Sequence, residues 1–583
     1  MGTPACTDPT ALGLRPVAVR ALAAMLGALL VACGGGGGGA APAAPAPPAL
    51  PPSDGGLDDP TVYSSAPDAS LPGFVEASVI TEHSLQLDGQ RLAYRATAGH
   101  LIARELGGAE RAQAAVFYVA YTRPGLDAAT RPVTFFYNGG PGSASVWLQL
   151  GSFGPRRLVS GVPATSAPRP FPLVDNADSL LGVSDLVFVN AVGSGRSQAI
   201  APFTNRSFWG VGTDAALFRD AVRRYLAANG RSNSPLFLYG ESYGGPRSAV
   251  LARRLLEAGV RVDGVVLQSP AMDYHSNCGV GNAAASCAPY FPSYAATAAW
   301  HQGMDAGAFE PWVADNQRFT DQQWAPVLGE FLLGRALPPA PLLAELGQRS
   351  GVPAATWQVT PNLGPTRYRE LLRPGELLGR YDARMRAPLG SALASEGDPS
   401  QTWLTDSFVQ GIAQHLGQEL KYRNASTYVL FSNAIQFWDF RHEGRSLPDT
   451  IPDLAVALNL NPQLRVLAVS GVQDLATPFH LTALDLARLA NPRVRAMHYQ
   501  GGHMSFLDDQ TRPRQRADLQ AFYAEALANR TAQAVSAPQR QRADASKAEP
   551  DRAGTPQLPG FRRPTPLEPA LHGLPCDPCV PPR

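Results

Sequence analysis

The sequence predicts an α/β fold, a parallel sheet covered by helices on both faces, and three observations predict it. Short apolar runs recur along the chain, helix-period stretches separate several of them, and one run leads through a glycine-flanked serine into another helical stretch. The runs are residues 133–137, 185–189, 235–239, 264–267 and 464–469. Between the second and third, Ala215, Leu217, Phe218, Val222, Tyr225 and Leu226 share one helix face and leave Arg219, Arg223 and Arg224 for solvent. Upstream, residues 68–122 alternate apolar and polar positions and become more apolar over 115–121, as strands at a sheet edge do.

Residues 275–423 break this rhythm. They carry Trp300, Trp312, Trp324, Trp357 and Trp403, several prolines and helix-like stretches without a clear strand. A mainly helical cap is therefore expected there, splitting the core into residues 68–274 and 424–530. Residues 531–583 are rich in Pro, Arg, Gln and Ala with few large apolar side chains, so burial cannot offset the entropy of ordering and a disordered tail is expected.

The first 33 residues read as an export signal. Arg15 and Arg20 precede an apolar stretch, residues 21–32, that is shorter than the ~20 residues of a membrane span. It ends in Leu30-Val31-Ala32-Cys33, which resembles the lipobox of bacterial lipoproteins, whose cysteine is lipidated. Cys33 is thus the expected membrane anchor, in the bacterial cell envelope facing the periplasm or the exterior; an ordinary secretory signal is the alternative. The Gly/Ala/Pro-rich residues 34–67 then form a tether.

A net charge of +1, with 17% charged residues, supplies no field for nucleic acid. Export permits disulfides, and Cys278 and Cys287 flank a short Gly/Ala/Asn loop where a bridge is expected, two free thiols being the alternative. Cys576 and Cys579 lack the second pair that a structural zinc needs, and no H-E-x-x-H occurs. No metal or cofactor is expected.

The chemistry centres on Gly240-Glu241-Ser242-Tyr243-Gly244, preceded by a strand and followed by a helical stretch. In such a nucleophile elbow the serine sits in a strained turn while neighbouring backbones crowd together, which demands small residues at both ends. A serine hydroxyl needs a base, and the base needs a carboxylate to orient it. In the α/β-hydrolase arrangement the order is serine, acid, histidine. Asp474 follows the strand at 464–469 through Gly471, and His503 follows a strand-like run at 494–499 through Gly501 and Gly502. His480 and His498 read as packing or surface residues. Upstream, Phe136 and Tyr137 run into Asn138-Gly139-Gly140-Pro141-Gly142, whose backbone N–H groups suit an oxyanion hole; no Lys-Ser/Thr follows, as a phosphate loop requires.

The Asn138–Gly142 turn, the Ser242 elbow, the Asp474 loop and Gly502-His503-Met504, taken in this order, resemble the serine carboxypeptidase family. The resemblance runs over residues 79–528 and is strongest to bacterial members, through Tyr118-Val119-Ala120-Tyr121 and residues 292–300. It implies that Ser242 attacks the peptide carbonyl, His503 shuttles the proton and Asp474 orients His503. It further implies that Gly140 and Tyr243 donate the oxyanion-hole N–H groups, and that Asn138 and Glu241 bind the terminal carboxylate of a peptide. Binding by Glu241 requires a proton on one of the two carboxyl groups, so it should weaken as pH rises.

Three positions depart from the family pattern. Ser152 stands where typical members carry a Glu that helps hold this proton, Val472 replaces the first Asp of G-D-x-D, and Ser143 replaces a cysteine. A serine-type carboxypeptidase is the expected activity. An esterase or acyltransferase with the same triad is the alternative, and a non-catalytic lipid-anchored binding protein is a third reading.

Overall fold

The computed structural model describes residues 55–545 apart from 108–109, 281 and 283. Nine strands form the body of one mixed sheet: β1 Ser78–Leu87, β2 Gln90–Arg104, β3 Ala112–Thr122, β4 Val133–Tyr137, β5 Asp185–Val189, β6 Leu236–Glu241, β7 Gly264–Gln268, β8 Arg465–Gly471 and β9 Val494–Tyr499. They lie in the order β9-β8-β7-β6-β4-β5-β3-β2-β1, with Gln198–Ala199 as a short tenth segment on β3. β1 to β3 are antiparallel, β3 meets β5 antiparallel, and every pairing from β5 to β9 is parallel. Because β5 lies on one side of β4 and β6 on the other, the carboxyl ends of β4 and β6 flank a topological switch point, where open α/β sheets form their crevice. This is the α/β-hydrolase fold.

Alternation along β4 explains the two layers of core. Val133, Phe135 and Tyr137 face α2 (Val211–Ala228), α3 (Gly244–Glu257) and a helix at Ile451–Leu460. Phe136 faces the opposite way, stacked at 4.7 Å on both Phe188 of β5 and Tyr239 of β6. That second face is closed by α1 (Val146–Gly151) and by Leu519, Phe522 and Tyr523 of the last helix, Arg512–Ala545. All six apolar positions expected on the face of α2 are buried.

Between β7 and β8, helices including Phe291–His301, Ala306–Phe319 and Ala340–Ser350 enclose their own core of Tyr290, Phe291, Tyr294, Trp324, Trp357 and Tyr368. Two features were not legible from composition. A hairpin, Glu376–Leu378 with Arg386–Pro388, stands within the strandless region, and its turn carries Arg380, Tyr381 and Asp382. The helix Pro399–Gln414 joins the sheet's own core, with Phe408 4.6 Å from Trp147 of α1.

Two expected boundaries move. The tether assigned to 34–67 is docked from Gly55 onward: Leu57–Asp58 pairs in parallel with Tyr422–Arg423, Asn424 donates to the Asp59 and Thr61 carbonyls, and Asn205 donates to those of Ser64 and Ala66. The carboxamides satisfy backbone groups that composition alone leaves to water. The tail assigned to 531–583 is helical as far as Ala545, because Ala, Gln and Arg propagate a helix already nucleated on the core. Cys33, Cys576 and Cys579 lie outside the described residues. Cys278 and Cys287 are disulfide-bonded. Among the described residues no helix is long and apolar enough to cross a membrane.

Candidate active site

The site begins where β6 ends. Ser242 adopts φ +61°, a left-handed conformation that costs a non-glycine residue about 1–3 kcal/mol. The turn is fixed by Ser242 N–H donating to the Gln268 carbonyl at 2.9 Å and by Gly245 N–H donating to the Ser242 carbonyl at 2.9 Å. Glycine is obligatory at Gly240, where a Cβ would lie 2.1 Å from the Gly244 carbonyl oxygen.

The parallel register pairs Gly240 with Tyr137 and so brings the Asn138–Gly142 turn against the elbow. A Cβ on Gly139 would lie 2.4 Å from the Tyr243 nitrogen and 2.7 Å from the Glu241 carbonyl oxygen. The glycine turn and the Tyr243 amide therefore share one site, with Gly140 at φ +102°. Gly139→Ala is expected to push these donors apart and lower kcat on the order of 10²–10³-fold, checked by steady-state kinetics beside a thermal melt.

Behind the turn lies an ion pair that sequence reading missed. Arg247 of α3 donates to Asp214 of α2 at 2.6 Å and to the Asn138 carbonyl at 2.6 Å, with the side chains of Arg247 and Asp214 0% and 3% exposed. The guanidinium also lies 4.5 Å from the Phe218 ring centroid. Asp214 sits on the apolar stripe of α2, and a charge on such a stripe was the available signal.

His503 and Asp474 come together as the chain order requires. His503 Nδ1 lies 2.7 Å from Asp474 Oδ2, which assigns the proton to Nδ1 and leaves Nε2 as the acceptor. Asp474 is fully buried, and its other oxygen accepts from the Ala476 and Thr477 amides at 2.7 and 3.0 Å. The Thr477 hydroxyl donates to Asp474 Oδ2 at 2.8 Å. Thr477 and the local amides thus support the acid, while Val472 packs with Phe479 and Ala299. Burial opposes a charge on His503, but the Asp474 carboxylate and its hydrogen bond override it and raise the imidazole above its usual range. His480 instead pairs with Asp321, and His498 lies against Phe479.

Ser242, His503, Asn138, Gly140 and Glu241 line one pocket together with Trp147, Tyr381, Gln401, Phe431 and Met504. Of these, Tyr381 and Gln401 come from the cap region; Tyr381 accepts the His503 N–H on its carbonyl at 2.6 Å and holds its ring 5.1 Å from the imidazole. Glu241 is fully enclosed. Burial is the main influence and Asp474 adds to it, against the opposing pull of His503 and of a hydrogen bond from Asn138; the carboxyl is pushed up to about 7. Its Oε2 has no hydrogen-bond partner among the described residues. Ser152 is buried with its hydroxyl donating to the Leu148 carbonyl at 2.6 Å, so it closes α1. Ser143 donates its N–H to the Gly139 carbonyl at 3.1 Å and steadies the turn.

Elsewhere, His442, Glu443 and Asp453 bring ligand-type atoms within 4.8 Å of one another. Arg253 donates to both carboxylates, at 3.2 and 3.0 Å, and His442 bonds Asp453 at 2.7 Å, so this cluster already has its counter-charge.

The fold, the elbow and the buried Asp474–His503 pair define a serine hydrolase. Residues 88–308 match the serine carboxypeptidase family model, a stretch that contains Asn138, Glu241 and Ser242 and ends before Asp474 and His503. Similar solved structures include a prohormone-processing carboxypeptidase from Saccharomyces cerevisiae, 14% identical over 74% of this chain and 91% of that one, with a TM-score of 0.47. A proline iminopeptidase from Mycobacterium smegmatis is 14% identical over 71% of this chain and 96% of its own, with a TM-score of 0.32. An esterase from Thermogutta terrifontis is 12% identical over 73% and 98%, with a TM-score of 0.31. No curated protein sequence matches at a significant level.

Proposed function

We propose that the protein is a serine-type carboxypeptidase of bacterial type that removes C-terminal residues from peptides through an acyl-enzyme on Ser242. The observation that carries this reading is Glu241, a buried carboxyl beside the nucleophile, hydrogen-bonded to Asn138 and holding its proton to about pH 7. A neutral carboxylic acid donates to a peptide's terminal carboxylate; an ionised one repels it. With that carboxylate on Asn138 and Glu241, the last peptide bond lies over Ser242. His503 takes the hydroxyl proton as the Ser242 Oγ–carbonyl bond forms, and the oxyanion develops against the Gly140 and Tyr243 amides. His503 then gives the proton to the departing amine, and water releases the peptide acid from Ser242. The lipobox-like Leu30–Cys33 supports attachment to a bacterial envelope membrane through Cys33, which loss of lipid labelling in Cys33→Ser checks.

The test is release of free amino acids from N-blocked dipeptides, alongside labelling of Ser242 by a fluorophosphonate. Labelling without release removes the carboxypeptidase reading and leaves an ester hydrolase or acyltransferase. The pH dependence follows from Glu241. Its proton is present below about pH 7 and lost above it, so KM for peptides should climb on the order of tenfold per pH unit on the alkaline side. Glu241→Gln keeps a donor at every pH and should flatten that limb.

A further inference from the structure

Five arginines lie within residues 369–386, around the cap hairpin, and four of them are committed. Arg369 donates to the Leu378 and Gly397 carbonyls, Arg373 and Arg386 pair with Glu376, and Arg384 pairs with Asp382 and Asp508. The fifth, Arg380, has no hydrogen-bond or ion-pair partner for its guanidinium among the described residues, although it is half-buried. Its backbone is held at both ends: its N–H donates to Asp398 Oδ1 at 3.0 Å, and its carbonyl accepts from Leu475, next to Asp474, at 3.0 Å. The guanidinium carbon lies 5.6 Å from the ring centroid of Tyr381, the ring that stands 5.1 Å from His503.

We propose that Arg380 is a specificity residue that binds an acidic side chain on the acyl side of the scissile bond, the penultimate residue of a peptide. This rests on the carboxypeptidase reading above and names a substrate class for it. The terminal residue falls on the side of Asn138 and Glu241, in the pocket that Trp147, Gln401 and Phe431 also line. Arg380 does not itself line that pocket. Its guanidinium sits beside the Tyr381 ring, and its charge acts on His503 as well as on Tyr290 and Tyr274, three groups whose ionisation is governed first by burial. A guanidinium is weakly hydrated and presents a planar fork that matches a carboxylate with two parallel hydrogen bonds. Tyr381, lying under it, shields the pair from solvent on one side.

The experiment compares kcat/KM for N-blocked Glu-Phe and Gln-Phe dipeptides, a pair that differs by one charge and little volume. The intact enzyme should favour the glutamyl substrate by tenfold or more at low salt, with the ratio falling as ionic strength rises. Arg380→Gln should bring the ratio to about one, and Arg380→Glu should favour a lysyl substrate instead. A ratio near one in the unaltered enzyme, a ratio unmoved by Arg380→Gln, or an acid preference confined to the terminal position would each overturn the proposal. The salt dependence of the unaltered enzyme reads the same interaction where a variant fails to fold. Glutamyl and glutaminyl aryl esters carry the same acyl side chains without a terminal carboxylate, so a glutamyl preference there persists even where no peptide is cleaved and separates this proposal from the reading beneath it.

Discussion

Replacing Ser242 by alanine is expected to lower kcat by about 10⁶ and to abolish fluorophosphonate labelling, because attack and proton transfer act as one unit. His503→Ala should lose a similar factor, and the double variant should be no worse than either alone. Additive losses would mean that the two side chains do not work together. Ser242→Gly adds a second readout. Ser242 holds φ +61°, so glycine, free of that strain, should lose the same activity yet melt at a higher temperature than the alanine variant. A binding protein with an idle triad would keep its biological activity in all four variants.

The second large effect lies behind the oxyanion turn. Arg247→Met leaves Asp214 charged, buried and without its partner, and breaking such a pair costs about 3–5 kcal/mol. The urea midpoint should fall accordingly. Burial pushes the Asp214 carboxyl up and Arg247 pulls it back, so in the variant Asp214 should take up a proton at higher pH than in the intact protein and recover some of the loss. Replacing both members, Arg247→Met with Asp214→Leu, should restore much of the stability. Activity should stay low, because the Asn138 carbonyl still lacks the donor that Arg247 supplies at 2.6 Å. Recovery of both together would reduce Arg247 to a packing residue.

The triad was legible because its chemistry constrains neighbours in sequence. Ser242 needs glycine at Gly240 and Gly244, and His503 needs Gly501 and Gly502 to turn back over the sheet. A Cβ on Gly502 would lie 2.2 Å from the Tyr381 carbonyl oxygen, so that glycine also records contact with the cap. Tyr381, Gln401 and Phe431 were not legible, since they reach the pocket from segments without motif or period and become neighbours only through tertiary packing. Composition misjudged both ends of the fold for a related reason. It reads the Pro-rich start as free chain, yet Asn205 and Asn424 dock it, and a single carboxamide leaves little trace in composition.

The cap touches the catalytic loops through backbone as well as side chains. Tyr381 receives the His503 N–H, Arg380 receives that of Leu475, and Ala383 donates to the Gln473 carbonyl. Base and acid are thus each buttressed by the turn that carries the proposed selectivity. Such a cap is not an interchangeable module: a chimera bearing another enzyme's cap must reproduce this three-bond seam before it can inherit a working histidine. Changes in substrate preference within this lineage should therefore arise by substitution around residues 380–383 more readily than by wholesale exchange of the insert.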